Sequence, residues 1–156
     1  MTDSGSLDLQ TDRFVFSPEA LFRYQVVSQV VAGVRGADGR GFADARKLLR
    51  AGGIGFGRGG NTTLGVIATN ATLTKTEVTR VAQMAHDGYA RAISPVHTPV
   101  DGDLIFALAT NVRAGAADVG VVGALAAEVM ADAIVRAARQ ATGVPGVPAL
   151  RDLQRP

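Results

Sequence analysis

Two short apolar runs, each followed by a longer stretch with helical spacing, constrain this chain more than any other feature. Leu64–Ala68 is the first run and Asp103–Thr110 the second. Short apolar runs rich in β-branched residues and bounded by polar turns read as buried strands. Between them, Thr74 and Glu77 spell Thr-x-x-Glu, the capping box in which side chain and backbone satisfy each other at a helix start. The spacing predicts a helix over Thr76–Ile93 with Val78, Val81, Ala82, Ala85 and Tyr89 toward the core. Ser94-Pro95 ends it, because the residue before proline avoids helical backbone. After the second run, Gly115–Asp118 leads into a helix expected over Val119–Ala141. Its expected stripe is Val122, Leu125, Ala126, Val129, Ala133, Ile134 and Ala137, with Gly143 as its cap. Strand, helix, strand, helix is an α/β pattern in which the sheet buries a face against helices. Val66 and Phe106 are expected to be buried.

Upstream, the pattern is weaker. Met1–Arg13 reads as a polar tail. Ser17-Pro18-Glu19 supplies a helix start, yet Val26-Val27 and Val30-Val31 leave open a strand in the second half of that segment. The glycines of Gly33–Gly41, with Ala37-Asp38-Gly39, signal a turn. Phe42–Ala51 reads as a short amphipathic helix stopped by Gly52 and Gly53. No repeat or linker divides the 156 residues, and this length suits one domain.

Composition removes several classes of function. The absence of Cys excludes disulfide frameworks, thiol nucleophiles and Cys-ligated zinc. With no Trp and 5% aromatic residues, base-stacking platforms are not expected. Sixteen basic against fourteen acidic residues leave +2, and the one local cluster, Arg46, Lys47 and Arg50, reads as a solvated helix face. No nucleic-acid partner is expected. Met1–Asp12 lacks a basic segment leading into an apolar run, and Val119–Ala138 is interrupted by Glu128, Asp132 and Arg136. The expectation is a cytoplasmic protein without a membrane partner.

Two clusters could carry chemistry. The first is Gly57-Arg58-Gly59-Gly60-Asn61-Thr62-Thr63-Leu64. Gly55, Gly57 and Gly60 fit G-x-G-x-x-G in letters, but that fingerprint follows a strand and opens a helix, the reverse of the order here. A Thr hydroxyl at the mouth of a strand can instead attack the carbonyl before it. Ester formation and hydrolysis then leave Thr62 as a new N-terminus whose α-amine serves as base for its own hydroxyl. The competing reading is a polar turn with Asn61 in a left-handed conformation. The second cluster is His97-Thr98-Pro99-Val100-Asp101-Gly102-Asp103. Asp101 and Asp103 are two apart, so on extended backbone they share a face, where they could orient a hydroxyl or hold an ammonium. A turn with solvated carboxylates is the alternative. A calcium loop would need Glu where Val112 stands, and no metal or other cofactor is expected. His86 reads as a supporting or core residue, and no Gly-x-Ser-x-Gly elbow occurs.

These blocks in order resemble the C-terminal part of the P1 family of peptidases. They are Asn61-Thr62-Thr63-Leu64-Gly-Val-Ile-Ala-Thr, Met84-Ala-His-Asp-Gly, Arg91-Ala-Ile-Ser-Pro-Val-His-Thr-Pro-Val-Asp-Gly-Asp, and Phe106-Ala-Leu-Ala-Thr110. That family includes the DmpA-like L-aminopeptidase/D-esterases, the β-peptidyl aminopeptidases and the nylon-oligomer endo-hydrolases. The resemblance covers Val31–Thr110 and extends over the last helix. It implies a precursor that cuts itself into α and β subunits, here between Asn61 and Thr62, with Thr62 as nucleophile. Asp101 and Asp103 would hold and polarise it, supported by His97 and Gly60. It also implies an α/β/β/α sandwich of the N-terminal-nucleophile type, oligomeric assembly, and small peptides, amides or polyamide oligomers as substrates.

The resemblance also sets what is absent. Family members are longer, and their N-terminal part supplies a Lys and an Asn that assist the nucleophile and the oxyanion. No Lys precedes Lys47 and no Asn precedes Asn61. The expectation is therefore an unrecognised segment over residues 1–30 and a P1-peptidase-like C-terminal domain over 31–156. That domain would be truncated and would pair with a second copy or a complementary α-type chain. Three functions stand: a self-processing amide hydrolase, a non-catalytic β-subunit-like domain acting through association, and a ligand-binding α/β domain that never cleaves itself.

Overall fold

In chain order the elements are α1 (Ala45–Arg50), β1 (Leu64–Thr69), α2 (Lys75–Ala92), β2 (Leu104–Ala109), α3 (Val119–Gln140) and α4 (Leu150–Leu153). The computed structural model describes residues 30–33, 36, 41–52, 62–99, 101–146 and 148–153. The helix start at Ser17-Pro18, the turn at Ala37-Asp38-Gly39, the glycine loop Gly53–Gly60 and Asn61 lie outside the described residues.

β1 and β2 pair in parallel, with Leu64 opposite Leu104 and Thr69 opposite Ala109. Parallel neighbours need a crossover, and α2 supplies it. The capping box forms as the sequence predicts: the Thr74 hydroxyl accepts from the Glu77 amide, and the Glu77 carboxylate accepts from the Thr74 amide at 2.7 Å. These bonds hold the Glu77 carboxyl below its ordinary value, chiefly through the Thr74 amide. At the far end of the strands Asn111 adopts a left-handed φ of 56°, and its side chain accepts from the Leu73 amide at 3.0 Å.

Side chains alternate across the two strands. Gly65, Ile67, Ile105 and Ala107 turn toward the helices, and they meet Val81, Ala85 and Tyr89 of α2 and Ala126 and Met130 of α3 in one core. Leu64, Val66, Leu104, Phe106 and Leu108 turn the other way and are exposed. The expected burial of Val66 and Phe106 is therefore overturned: they are 64% and 56% exposed. An apolar run identifies a strand with hydrophobic residues on both faces, as parallel strands usually have. It does not say which face the described residues cover, and both helices lie on the same one.

The stripe expected on α3 is also corrected. Ala126 is buried and Val122 and Ile134 pack against the core, but Leu125 and Val129 are 51% and 58% exposed, and Ala133 and Ala137 face outward as well. The buried face runs instead through Gly123, Ala126, Ala127, Met130, Ala131, Asp132 and Val135. Close approach of the two helices explains the shift. A Cβ on Gly88 of α2 would meet the Ala127 carbonyl oxygen at 2.5 Å and the Met130 Cβ at 2.7 Å, and a Cβ on Gly123 would run into the Met84 side chain. Where the backbones come this near, Gly88 and Gly123 leave no room for a side chain, so the closest points of the seam take the smallest residues. Asp132, buried on this face, pairs with Arg136 at 3.4 Å.

Two boundaries differ from expectation. α1 begins at Ala45 because Asp44 caps it, accepting from the Arg46 amide; the Arg46 guanidinium closes onto the same carboxylate at 2.8 Å and holds the Asp44 carboxyl down at about 2. Gly52 ends the helix with a φ of 68°, as its position suggests. α3 is capped at Ala141 rather than Gly143, and the tail beyond it forms the short α4. Among the described residues no helix is long and apolar enough to cross a membrane.

Candidate active site

Because the strands are parallel, the residues that lead into both of them gather at one edge of the sheet. The ladder puts Leu64 beside Leu104, so the two preceding segments, which contain Thr62 and Asp101–Asp103, lie side by side. The Leu104 amide donates to the Thr63 carbonyl at 3.0 Å. In the opposite sense, the Thr63 amide donates to Asp103 Oδ1 at 2.9 Å. Asp103 has a side chain only 9% exposed, so its charge is held where an amide donor compensates it.

Thr62 is exposed, and its hydroxyl lies over Gly102. A Cβ at Gly102 would stand 2.6 Å from Thr62 Oγ1, so only glycine leaves room for the hydroxyl there. The Asp101 carboxylate has a different task. It accepts from the Thr98 amide at 2.8 Å, while its own amide donates to the Thr98 carbonyl at 3.0 Å, and so it closes the loop that delivers Gly102 and Asp103. Of the residues singled out from sequence, Thr62 and Asp103 are thus brought to one spot. Asp101 is spent on its own loop, and Asn61 and Gly60 lie outside the described residues.

His97 joins this group. It holds a left-handed φ of 55°, a region that non-glycine residues enter rarely and His more readily than most. Its ring lies against Tyr89, with centroids 6.4 Å apart and planes 28° from parallel; Nδ1 stands 4.0 Å from Asp103 Oδ2, and Nε2 stands 3.4 Å from the His86 carbonyl oxygen. His86 meets Tyr89 edge-on at 5.3 Å. The two histidines therefore support the loop. Among the described residues no three His, Asp or Glu side chains gather as a metal ion would require.

Tyr89 is the member whose role the sequence does not give. Its helical position marks it as core, and it is fully buried. Its hydroxyl, however, reaches the carbonyl oxygens of Thr63 and Leu104, each at 3.2 Å. Burial, followed by the nearby Asp103 charge, pushes the phenol above its ordinary value. The one available signal is that a buried tyrosine needs a partner for its hydroxyl.

The sequence model of peptidase family S58 matches residues 20–150. The chain belongs to peptidase family S58. This S58 chain is 43% identical over 106 residues to an uncharacterized aminopeptidase of Mycobacterium bovis, an alignment covering 60% of this chain and 31% of that protein. It is 48% identical over 101 residues to an uncharacterized aminopeptidase of Mycobacterium leprae, covering 56% of this chain and 28% of the relative. It is 35% identical over 91 residues to a 6-aminohexanoate-oligomer endohydrolase of Kocuria sp., covering 51% and 26% respectively. The S58 chain spans less than a third of the length of the curated relatives it matches. The resemblance read from its four sequence blocks is thus a true family relation.

Proposed function

We propose that this chain carries the nucleophile-bearing part of a self-processing amide hydrolase. In this reading the Thr62 hydroxyl attacks the Asn61 carbonyl carbon, the peptide nitrogen departs as the α-amine of Thr62, and water hydrolyses the resulting ester. The freed amine then takes the proton from Oγ1 as the hydroxyl attacks the carbonyl of an amide substrate. A single residue thereby serves as nucleophile and base. Asp103 fixes the backbone beside the nucleophile through the Thr63 amide, and Asp101 fixes the loop that carries Gly102. The observation that carries the proposal is the seat of Thr62 Oγ1 over Gly102, one residue from the bond between Thr63 and Asp103. The substrate class follows from the relatives' names: peptides with a free amino end, or short amide oligomers.

The bare sheet face bears on the partner. Leu64, Val66, Leu104, Phe106 and Leu108 form an exposed apolar surface on the side away from the helices. A second sheet packed there would complete an α/β/β/α sandwich. Such a sheet, with the Lys and Asn that the family resemblance implies, belongs to an α-type portion; a further copy of the chain would cover the face without bringing those two residues, since no Lys precedes Lys47 and no Asn precedes Asn61. The same face supports the second reading, a non-catalytic domain that works through association.

Mass spectrometry of the purified protein separates the two. Self-processing yields a fragment beginning at Thr62, and Thr62→Ala abolishes it. A chain that stays intact when supplied with its α-type partner removes the hydrolase reading and leaves the association reading.

A further inference from the structure

We propose that Tyr89 is a positioning residue of this site: its buried hydroxyl, shared between the Thr63 and Leu104 carbonyls, sets the spacing between the start of β1, which carries Thr62, and the start of β2, which carries Asp103. The inference rests on the reading of Thr62 as nucleophile, and it assigns to a core side chain a task at the reacting end of the sheet.

Three features support it. The first is the donor count. The phenol has one proton, and both carbonyl oxygens stand at the same 3.2 Å. The Thr63 carbonyl already accepts from the Leu104 amide within the ladder, so the phenol adds a second tie at the first rung and none further along. Second, the backbone comes close to it: a Cβ on Gly65 would stand 2.6 Å from the hydroxyl, and equally near the end of the Met130 side chain. Third, the ring is held on its other sides by His86 edge-on at 5.3 Å and by His97 across its face. The same imidazole of His97 points Nδ1 toward Asp103 at 4.0 Å. One ring thus touches the start of β1, the start of β2 and the loop between α2 and β2.

Amide hydrogen exchange by NMR on the full chain tests this in wild type, Tyr89→Phe and Gly65→Ala. Tyr89→Phe keeps the ring and removes the tie. The expected result is that the Thr63 and Leu104 amides exchange about tenfold faster, in keeping with the net worth of one hydrogen bond. The Thr110 amide, at the far end of the ladder and bonded to the Thr69 carbonyl, keeps its protection. Gly65→Ala, whose methyl crowds both the hydroxyl and the end of the Met130 side chain while leaving tyrosine in place, gives the same local pattern with Thr110 still protected, and that restriction to the first rung decides the matter should Tyr89→Phe not fold. Self-cleavage in the same samples slows by a similar factor. Unchanged protection at Thr63 and Leu104, or an equal loss at Thr110, overturns the proposal, since a plain core residue would loosen the sheet evenly. Failure of the nucleophile reading is seen separately, as cleavage that survives Thr62→Ala, and leaves the exchange pattern to judge Tyr89.

Discussion

Thr63 and Asp103 stand 40 positions apart in the chain and are joined by a bond from the Thr63 amide to Asp103 Oδ1 at 2.9 Å. The acceptor is a side chain and the donor is backbone, so substitution at the two positions has opposite consequences. Asp103→Ala strands a partly buried amide, with an expected cost of about 1–3 kcal/mol in stability and a slowing of self-cleavage by about 10²-fold. Thr63→Ala keeps the amide and leaves cleavage near the wild-type rate. Time courses by mass spectrometry, paired with urea titrations, give both quantities.

Gly102→Ala tests the seat of the nucleophile. The added methyl would stand 2.6 Å from Thr62 Oγ1, and the hydroxyl must move away. A displacement of about 1 Å from productive geometry costs on the order of 10²-fold in rate. Because Thr62 is exposed, the melting temperature should stay close to wild type. A variant that cleaves at full rate would show that the hydroxyl does not act from this position.

The seam between α2 and α3 makes an unusual contrast. Gly88→Ala should destabilise by about 1–3 kcal/mol, the usual cost of overpacking, because its Cβ would meet the Ala127 carbonyl oxygen at 2.5 Å. Leu125→Ala, a much larger deletion, should change stability by no more than about 0.5 kcal/mol, since Leu125 is half exposed. Urea unfolding of both variants measures the difference.

This contrast also marks what the sequence made legible. The strand and helix positions followed from spacing and from the Thr74–Glu77 box, because those signals are local. For the candidate site, the motifs singled out Thr62 and Asp103, and the parallel ladder brings the segments that carry them side by side. The buried face of α3 was not, because hydropathy ranks Leu125 and Val129 above Gly123 and Ala127, whereas the packed seam selects for small size. The exposure of Val66 and Phe106 was hidden for a related reason: a run of apolar residues looks alike whether one face of the strand or both are covered. The roles of Gly65, Tyr89 and Gly102 depend on neighbours 15 to 40 positions away, beyond the reach of any local pattern.

Alkaline pH should expose the state of Tyr89. Its phenol has a folded value raised above the ordinary tyrosine value, mainly by burial. Its contribution to stability is therefore fully present below the unfolded value, about 10, and is lost as pH rises from there through the folded value. Tyrosinate absorbance should contain a component with a midpoint above the ordinary value that disappears in Tyr89→Phe, and that variant should lose stability less steeply above about pH 10.

The open sheet face predicts association. Phe106, 56% exposed at the centre of this face, should be a contact in any assembly that covers the sheet. Phe106→Lys should shift the protein toward monomer in sedimentation velocity while leaving urea stability within about 0.5 kcal/mol. Assembly unaffected by this charge would move the interface elsewhere.

The first residues at a chain end ordinarily fray, because nothing upstream restrains them. Here both backbone groups of Thr63 are engaged, the amide with Asp103 and the carbonyl with Leu104 and Tyr89. In the proposed reaction the chain is cut one residue ahead of that anchor. The newborn terminus is then a single residue long, and only the torsions of Thr62 itself are released by the cut.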